Sequence, residues 1–306
     1  MAVFTGTSHV YNMAGTTGVG KFNREDLSDL ITNISPTKTP FISNIGRSTA
    51  NAVLHEWMTD TLAAAANNAH IEGNEITFAA AGSGTRLNNY TQIHVKSVIV
   101  SGTQDAVRKA GKGKELAYQV AKKTKEIARD LEYAALNNAA VAAGDATTAR
   151  QLMGVAGWTT AYNYNDLGTG DVTLTQTHAN TMVKQCWDDG GEPDMIICGS
   201  YNKTVISGFT TGVTKNLDAA DKRLVTSVDV WETDFGVLRI HPDHFVNADD
   251  THVIDSSLWK LAYLRPLRLH DLAKTGDAEK RALIAEVTLE ALEPNGSGSI
   301  VDSTTS

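Results

Sequence analysis

The stretch KELAYQVAKKTKEIARDLEYAALNNAAVAA, at residues 114–143, carries one continuous helical pattern without proline. Apolar residues recur at three- and four-residue spacing, which places them on one face of a helix. Thirty or so residues at about 1.5 Å each form a rod of roughly 45 Å, well above the average helix length. We therefore predict a helix over residues 113–143 that lies across a sheet and leaves its other side to solvent or neighbours. The apolar stripe comprises Leu116, Val120, Ile127, Leu131 and Ala135; the charged residues expected on the remaining surface are Lys122, Lys123, Lys125, Glu126, Arg129, Asp130 and Glu132.

The bulk composition is that of a folded protein with more than one core. The chain has 306 residues, 42% of them apolar and 20% charged, and this length favours two subdomains. The net charge of -8 argues against a dedicated nucleic-acid binder, because binding to phosphate needs clustered lysine and arginine. The basic patch at residues 109–125 is interpreted as a solvated helix face.

Two cysteines, Cys186 and Cys198, are too few for a disulfide scaffold or a zinc ribbon. Cys198 lies in an apolar run and is interpreted as a small core residue. The first residues have no basic start followed by an apolar block, and no apolar stretch is long enough to span a bilayer. We expect the protein to be made and folded in a reducing cytoplasm, without a membrane partner.

The N-terminal region predicts an arm. Residues 1–24 are rich in glycine and threonine and lack periodicity, which is typical of an extended segment that neighbours must order. A short helix is predicted over residues 24–31, with Asn23 as its cap. Residues 39–46, TPFISNIG, are predicted to be an apolar anchor among turns.

Two alternating segments frame a long insert. Residues 53–62 place Leu54, Met58 and Leu62 on one side and Trp57 on the other, and residues 92–100 carry Ile93, Val95 and Ile99 on one face. About 30 residues of mostly Ala, Asn and Gly separate them. Because such an insert cannot bury itself, we predict a projecting, flexible, two-stranded loop.

The region from residue 171 onwards predicts an α+β module. A helix over residues 178–189, capped by Thr177, places Met182, Val183, Cys186 and Trp187 on one face. A buried strand in DMIICGS and a helix over residues 201–209 follow. Residues 224–231 and 236–241 then predict a hairpin.

The C-terminal region predicts three strands, at residues 252–255, 258–264 and 282–292. In the last strand Leu283, Ala285, Val287, Leu289 and Ala291 share one face, and Glu286, Thr288 and Glu290 share the other. We expect the long helix to cover the apolar face, residues 274–280 to form a polar hairpin tip, and residues 297–306 to be frayed.

The motifs that could carry chemistry are incomplete. GTTGVGKF, at residues 15–22, matches a phosphate loop as far as its lysine, but Phe22 stands where a serine or threonine must hold magnesium. Asp234-Phe235-Gly236 lacks the other kinase motifs and is interpreted as a hairpin turn. His241, Asp243 and His244 are potential metal ligands from one short segment, whereas metal sites usually draw on several elements.

The remaining candidate sites are also better explained by a structural role than by ligand binding or catalysis. Residues 111–114, GKGK, could hold an anion at a helix start, but ordinary helix entry is the preferred interpretation. Trp57 and Trp259 lie in strand patterns without surrounding basic residues, which favours core or interface packing over base stacking. No catalytic, cofactor-binding or metal-binding residue is predicted, and no enzymatic activity.

Seven stretches in the same order resemble the major capsid (major head) proteins of tailed bacteriophages, which have the Hong Kong 97-type fold. The resemblance spans nearly the whole chain; each stretch is weak alone, and their common order makes the resemblance specific. The stretches are TPFISNIG (39–46), HEWMTDTL (55–62), RLNNYTQI (86–93), VSGTQDAV (100–107), ARDLEYAAL (128–136), ETDFGVLRI (232–240) and TGDAEKRALIAEVTLEAL (275–292).

The resemblance implies an α+β capsid subunit divided into four parts. These are an N-terminal arm (1–46), an extended two-stranded loop (47–105), a peripheral domain with a long spine helix (106–150 with 251–306) and an axial domain (151–250). It implies hexamers and pentamers that form an icosahedral head around packaged double-stranded DNA, located in the virion and assembled in the bacterial cytoplasm. Subunit contacts are predicted at Glu56, Trp57, Arg86 and Lys96.

Two further expectations concern partners and alternatives. Because few residues precede the first predicted helix, a scaffolding protein is expected to be a separate chain, beside a portal and possible decoration proteins. Crosslinking between lysine and asparagine, known in one branch, is not assigned to any lysine here. The alternatives left open are an encapsulin-like nanocompartment shell of the same fold and an enzyme that uses residues 15–22 or 241–244.

Overall fold

The fold combines six α-helices, two short 3₁₀-helices and twelve strands in the residues that the computed structural model describes: 35–76, 78, 82–108, 113–168, 172–209 and 228–305. The first 34 residues of the arm, with the predicted helix at 24–31 and the phosphate-loop motif at 15–22, lie outside these residues. The helices are α1 (Pro40–Asn44), α2 (Gly102–Ala106), α3 (Glu115–Asn137), α4 (Val155–Thr160), α5 (Gln176–Asp188) and α6 (Ser200–Ser207).

The strands form three sheets. The four-stranded sheet has the order β1 (Gly46–Thr49), β10 (Trp259–Asp271), β11 (Ala278–Ala291) and β4 (Gln92–Ser101). The six-stranded sheet has the order β5 (Asn163–Asp166), β12 (Gly298–Val301), β9 (Thr251–Ile254), β6 (Met195–Cys198), β8 (Gly236–Pro242) and β7 (Val230–Thr233). The third sheet is the antiparallel pair β2 (Leu54–Thr59) and β3 (Thr85–Tyr90).

The long helix is confirmed, but α3 ends at Asn137 and not at residue 143. Two asparagines explain the early end. The Asn137 side-chain amide donates to the carbonyl of Phe245 at 2.6 Å, and Asn138, with extended backbone, donates to the carbonyl of Leu152 at 3.1 Å. These side chains bind other segments, and the chain leaves the helical path there.

The packing of α3 departs from the predicted stripe. Ile127 and Ala135 are buried as expected, while Leu116, Val120 and Leu131 are only half-buried. Glu132, predicted on the surface, is completely buried, as is most of Glu115. Spacing alone could not show this, because Glu132 caps the start of α1 through hydrogen bonds to main-chain N–H groups.

The expectation for the last strand is half correct. Leu283, Ala285, Val287, Leu289 and Ala291 of β11 are buried, and α3 packs on this sheet as predicted. The opposite, polar face is buried as well, since other groups bind its carboxylates: Arg150 contacts Glu286 at 2.6 Å, and the Ser48 hydroxyl donates to Glu290 at 2.6 Å.

Two C-terminal segments have different positions in the fold from those expected from the sequence. Strand β9, near the predicted strand 252–255, pairs with β6 and β12 in the six-stranded sheet and not beside β10. Residues 298–301, predicted to be frayed, form the buried strand β12, which pairs with β5 and β9. Its side chains are small or β-branched, so it fits between two strands although its sequence is rich in glycine and serine.

The predicted module after residue 171 is confirmed in outline, but the first hairpin strand is β7 at Val230–Thr233 and not residues 224–231, of which 224–227 lie outside the described residues. Helix α5 is capped by Thr175, two residues before the predicted cap, and Trp187 is half-exposed rather than buried with Cys186. The turn between β7 and β8 contains Asp234 and Phe235, and Gly236 has φ of 151°, a value that side chains rarely allow.

Candidate assembly surfaces

The extended loop is a hairpin whose strands run in register from Leu54 opposite Tyr90 to Thr59 opposite Thr85. The two-stranded character predicted for this region is confirmed. The second strand is β3, formed by the end of the insert itself, and residues 92–101 belong instead to the four-stranded sheet.

The base of the hairpin is anchored in the core of the subunit. Trp57 is 8% exposed, and its indole Nε1 donates a hydrogen bond to the carbonyl of Ala291 at 2.7 Å. Its ring centroid lies 5.8 Å from that of Trp158. On the partner strand Asn89 is completely buried and donates to the carbonyls of Leu289 at 2.8 Å and Met153 at 3.0 Å.

A buried carboxylate joins the hairpin to two other elements. Glu286 of β11 accepts hydrogen bonds from Thr91 Oγ1 at 2.9 Å and from Arg150 Nη2 at 2.6 Å. Arg265 Nε donates to its second oxygen at 2.7 Å. Sequence reasoning missed Asn89, Arg150 and Glu286 as a structural set, because no spacing in the sequence connects residues so far apart.

The distal part of the hairpin has no comparable anchor. In the described residues between 60 and 84, nearly every side chain is exposed, and Leu62 is 98%, Ile71 78% and Phe78 91% exposed. Its charged residues are Asp60, Glu72 and Glu75, and no lysine or arginine occurs between residues 60 and 85. The loop therefore presents isolated apolar side chains on an acidic background.

Three of the residues predicted at interfaces form ion pairs at or near the surface. Arg86 Nη1 lies 3.7 Å from Glu56 Oε2, across the two hairpin strands, with both side chains exposed. Lys96 Nζ lies 2.6 Å from Asp130 Oδ2 and links β4 to α3. Trp57, the fourth, makes its contacts within the chain. The structure contains a single subunit, so the interface role of these residues stays a prediction.

Strand β4 turns its apolar side away from α3. Ile93, Val95 and Ile99 are exposed, whereas His94 and Val100 on the other face are buried. Burial lowers the pKa of His94 to about 4, so it is neutral at physiological pH. The residues that periodicity placed on one face do share it, but in the subunit alone this face is open.

Within the described residues, the motifs considered for catalysis do not assemble into a site. Asp243 is buried and accepts the N–H of Phe245 at 3.0 Å, and its neighbour His244 is exposed. Within the described residues, no three His, Cys, Asp or Glu side chains are grouped so that they could hold a metal ion. Burial raises the pKa of both cysteine thiols to about 12, which makes them poor nucleophiles.

None of the helices in the described part of the chain combines the length and the apolar character needed to cross a membrane.

This arrangement of sheets, long helix and projecting hairpin is the fold of phage capsid proteins. The chain superposes on a chain of the cyanophage A-1(L) capsid asymmetric unit with a TM-score of 0.68 and 12% identity, covering 93% of this chain and 98% of that one. The capsid structure of cyanophage P-SCSP1u matches with a TM-score of 0.63 and 11% identity, over 99% of this chain and 100% of that one. The predicted Hong Kong 97-type α+β fold is confirmed.

The chain belongs to the SU10 major capsid protein family, whose profile matches residues 12–304. A relative from Escherichia phage Phieco32, named major capsid protein, is 28% identical over 319 residues, which cover 88% of this chain and 91% of the relative. The protein is thus a shell-forming structural protein of a phage virion and not an enzyme. These matches give no specific support to the nanocompartment alternative.

Proposed function

We propose that copies of this protein form hexamers and pentamers that tile an icosahedral phage head, and that the loop at residues 60–84 contacts a neighbouring subunit. The observation that carries the proposal is the near-complete exposure of Leu62, Ile71 and Phe78 in the single subunit. Their position at the end of an anchored hairpin makes them available to another copy.

The energetics favour such a contact. Burying one apolar side chain of this size stabilises by about 1.5–3 kcal/mol, so a few per loop give a modest contact between two subunits. A loop that reaches from one copy to the next makes a heterologous contact, which generates rings when the rotation closes. Repeated over many subunits, modest contacts add up to a stable shell.

The charge supports a wall that encloses DNA without binding it in a sequence-specific manner. The net charge is -8, and tight binding to the DNA backbone needs clustered cations. We infer that packaged double-stranded DNA is confined by the shell, that a separate scaffolding protein, a portal and possible decoration proteins complete the head, and that assembly takes place in the host cytoplasm.

We retain the four-part division with one revision. The arm (1–46), the extended loop (47–105), the peripheral domain (106–150 with most of 251–306) and the axial domain (151–250) remain our proposal. The pairing of β9 and β12 with β6 and β5 supports the transfer of residues 251–254 and 298–301 to the axial part.

The test is a loop variant with Leu62, Ile71 and Phe78 replaced by serine, expressed with the neighbouring head genes. We expect the subunit to unfold at the same urea concentration as the wild type, because these side chains make few contacts within the chain. Negative-stain microscopy is expected to show no uniform closed particles. Uniform shells from this variant would contradict the role of the loop.

A matched control replaces three exposed apolar residues outside the loop, Tyr133, Val141 and Tyr162, by serine. We expect this control to assemble. If the control also failed to assemble, loss of exposed apolar area anywhere would be sufficient, and the specific contribution of the loop would be refuted.

A further inference from the structure

Two buried carboxyl groups lie together where α1, α3 and the segment after β8 meet. Glu132 of α3 is completely buried, and Asp243 is 5% exposed. Glu132 Oε1 accepts the N–H of Phe41 at 2.6 Å, and Oε2 accepts the N–H of Ile42 at 2.9 Å. The side chains of Glu132 and Asp243 lie close enough that each affects the pKa of the other.

The hydrogen bonding of this pair is incomplete while both groups are ionised. Asp243 Oδ1 accepts the N–H of Phe245 at 3.0 Å, but the buried Oδ2 receives no hydrogen bond. An ionised carboxylate can only accept, so Glu132 supplies a donor only if it carries a proton. Two adjacent buried carboxylates also repel each other, and such pairs commonly hold one proton between them.

We propose that Glu132 and Asp243 share one proton and thereby act as a pH-dependent latch that holds α1 and the segment after β8 against the long helix. The protonated Glu132 donates to Asp243 Oδ2 while its oxygens hold the first N–H groups of α1. Loss of the proton leaves two buried negative charges in contact and weakens the attachment of α1.

The surroundings contain few charges that could replace the proton. Helix α1, with sequence PFISN, brings N–H groups and no charged side chain. Arg129, one turn earlier on α3, has its guanidinium carbon 5.4 Å from the centre of the Phe245 ring. His244 follows Asp243 in the chain and is exposed.

The acidities of the pair agree with this geometry. Burial raises the pKa of Glu132 to about 8, although the N–H groups of Ile42 and Phe41 act in the opposite direction. Burial also raises the pKa of Asp243. Because the two groups titrate together, the proton belongs to the pair.

The latch joins three parts of the subunit. Helix α1 leads into β1, which pairs with β10 in the four-stranded sheet. The segment after β8 is held on α3 by Asn137, whose side chain donates to the carbonyl of Phe245 and accepts the N–H of Asn247 at 2.9 Å. Release of the proton therefore affects the docking of α1 most directly, since the other segment keeps these bonds.

The direction of the pH effect follows from proton binding. In the latched state, the carboxyl pair holds a proton. In the opened state, Glu132 has the pKa of an ordinary glutamate and is therefore ionised above about pH 4.5. A rise in pH therefore favours opening, by up to about tenfold per pH unit, until the pair itself ionises near pH 8. The latch is tightest in mildly acidic solution and weakest at and above pH 8.

Hydrogen exchange of the full chain tests the proposal. The protection factors of the Phe41 and Ile42 amides are expected to fall between pH 5.5 and 7.5, by up to about tenfold per unit, and to level off near pH 8. Amides in the middle of α5 serve as internal controls and are expected to change little. Equal changes in α5, or constant protection of Phe41 and Ile42, would overturn the proposal.

Two variants separate the proton from simple packing. Asp243→Asn keeps an acceptor for Phe245 and supplies an amide donor to an ionised Glu132, so its protection factors are expected to be nearly independent of pH. Glu126→Gln, at a partly exposed carboxylate of α3 that pairs with Lys123, is expected to behave as the wild type. A wild-type pH profile in Asp243→Asn would contradict proton sharing.

Infrared spectroscopy of the wild type gives an independent result that does not depend on a variant folding. With glutamate labelled by carbon-13, we expect one buried carboxylic-acid band at pH 6.5 that disappears above pH 8.5. Absence of any such band at pH 6.5 would show that Glu132 is ionised in the folded chain and would overturn the proposal.

Discussion

The base and the tip of the extended hairpin differ in where their apolar side chains find partners. At the base, Trp57 lies within the subunit core and its indole N–H bonds to Ala291. Toward the tip, Leu62 and Phe78 are almost fully exposed on an acidic loop. The strands at the base of the hairpin therefore contribute to subunit stability, and the loop at its tip offers a surface for contact between subunits.

The largest effect on the subunit is expected at Trp57. Trp57→Ala removes a large buried side chain and leaves the Ala291 carbonyl without its indole donor, at a cost of about 3–5 kcal/mol in the free energy of unfolding. Urea denaturation followed by circular dichroism measures this loss. Met58→Ala, an exposed neighbour on the same strand, is the control and is expected to cost less than about 0.5 kcal/mol. Loss of shells without loss of subunit stability would instead support the interface role predicted from the sequence.

A smaller effect is expected at Asn89, which ties the other strand of the hairpin to the core. Asn89→Ala leaves the Leu289 carbonyl, which accepts the buried one of its two hydrogen bonds, without this donor. A total cost of about 1–3 kcal/mol in the free energy of unfolding is expected. The exposed Asn88→Ala is the matched control on the same strand. If both variants had equal stability, the base of the hairpin would not depend on this hydrogen-bonding side chain.

The smallest effect is expected for the exposed pair Glu56 and Arg86. Solvent-exposed ion pairs contribute about 0–1 kcal/mol, so Glu56→Gln, Arg86→Ala and the double variant should unfold nearly as the wild type does. A double-mutant cycle on urea denaturation gives the coupling energy. Any strong effect of Arg86→Ala on particle yield would then arise between subunits, and normal yield would remove Arg86 from the predicted interface.

Periodicity predicted well those elements that pack within the chain. The alternation in residues 53–62 matched the strand β2, and the alternation in residues 282–292 matched β11, because successive side chains of a strand point to opposite faces. The continuous apolar run at residues 195–198 matched β6, which is buried at every position. The seven stretches quoted for the resemblance led to the correct family, since their order reflects the whole fold and not one local pattern.

The errors have a common physical origin, which is that long-range polar contacts leave no local pattern. In the sequence, Glu132 resembles any other charged residue of a helix. Only the folded chain shows that it binds the N–H groups of α1. The end of α3 depends on Asn137 and Asn138 meeting segments more than ten residues away. The strand β12 was missed because glycine and serine suggest a frayed tail, although neighbouring strands bury it completely.

The candidate surface was predicted only in part. The projecting hairpin follows from a long insert that cannot bury itself, so its existence was accessible from composition. The sequence did not show that Trp57 is buried and Leu62 exposed, because both are apolar residues in one alternating segment. Only the positions of Ala291 and Trp158, contributed by distant parts of the chain, decide which of them is buried.

The inert cysteines have a practical consequence for labelling. Because Cys186 and Cys198 are both buried and their thiols are protonated, thiol-reactive dyes should not label the folded subunit. A cysteine introduced at an exposed loop position such as Asn67 would give a single attachment point. Fluorophores placed there could follow, in real time, how quickly each loop becomes covered as particles close.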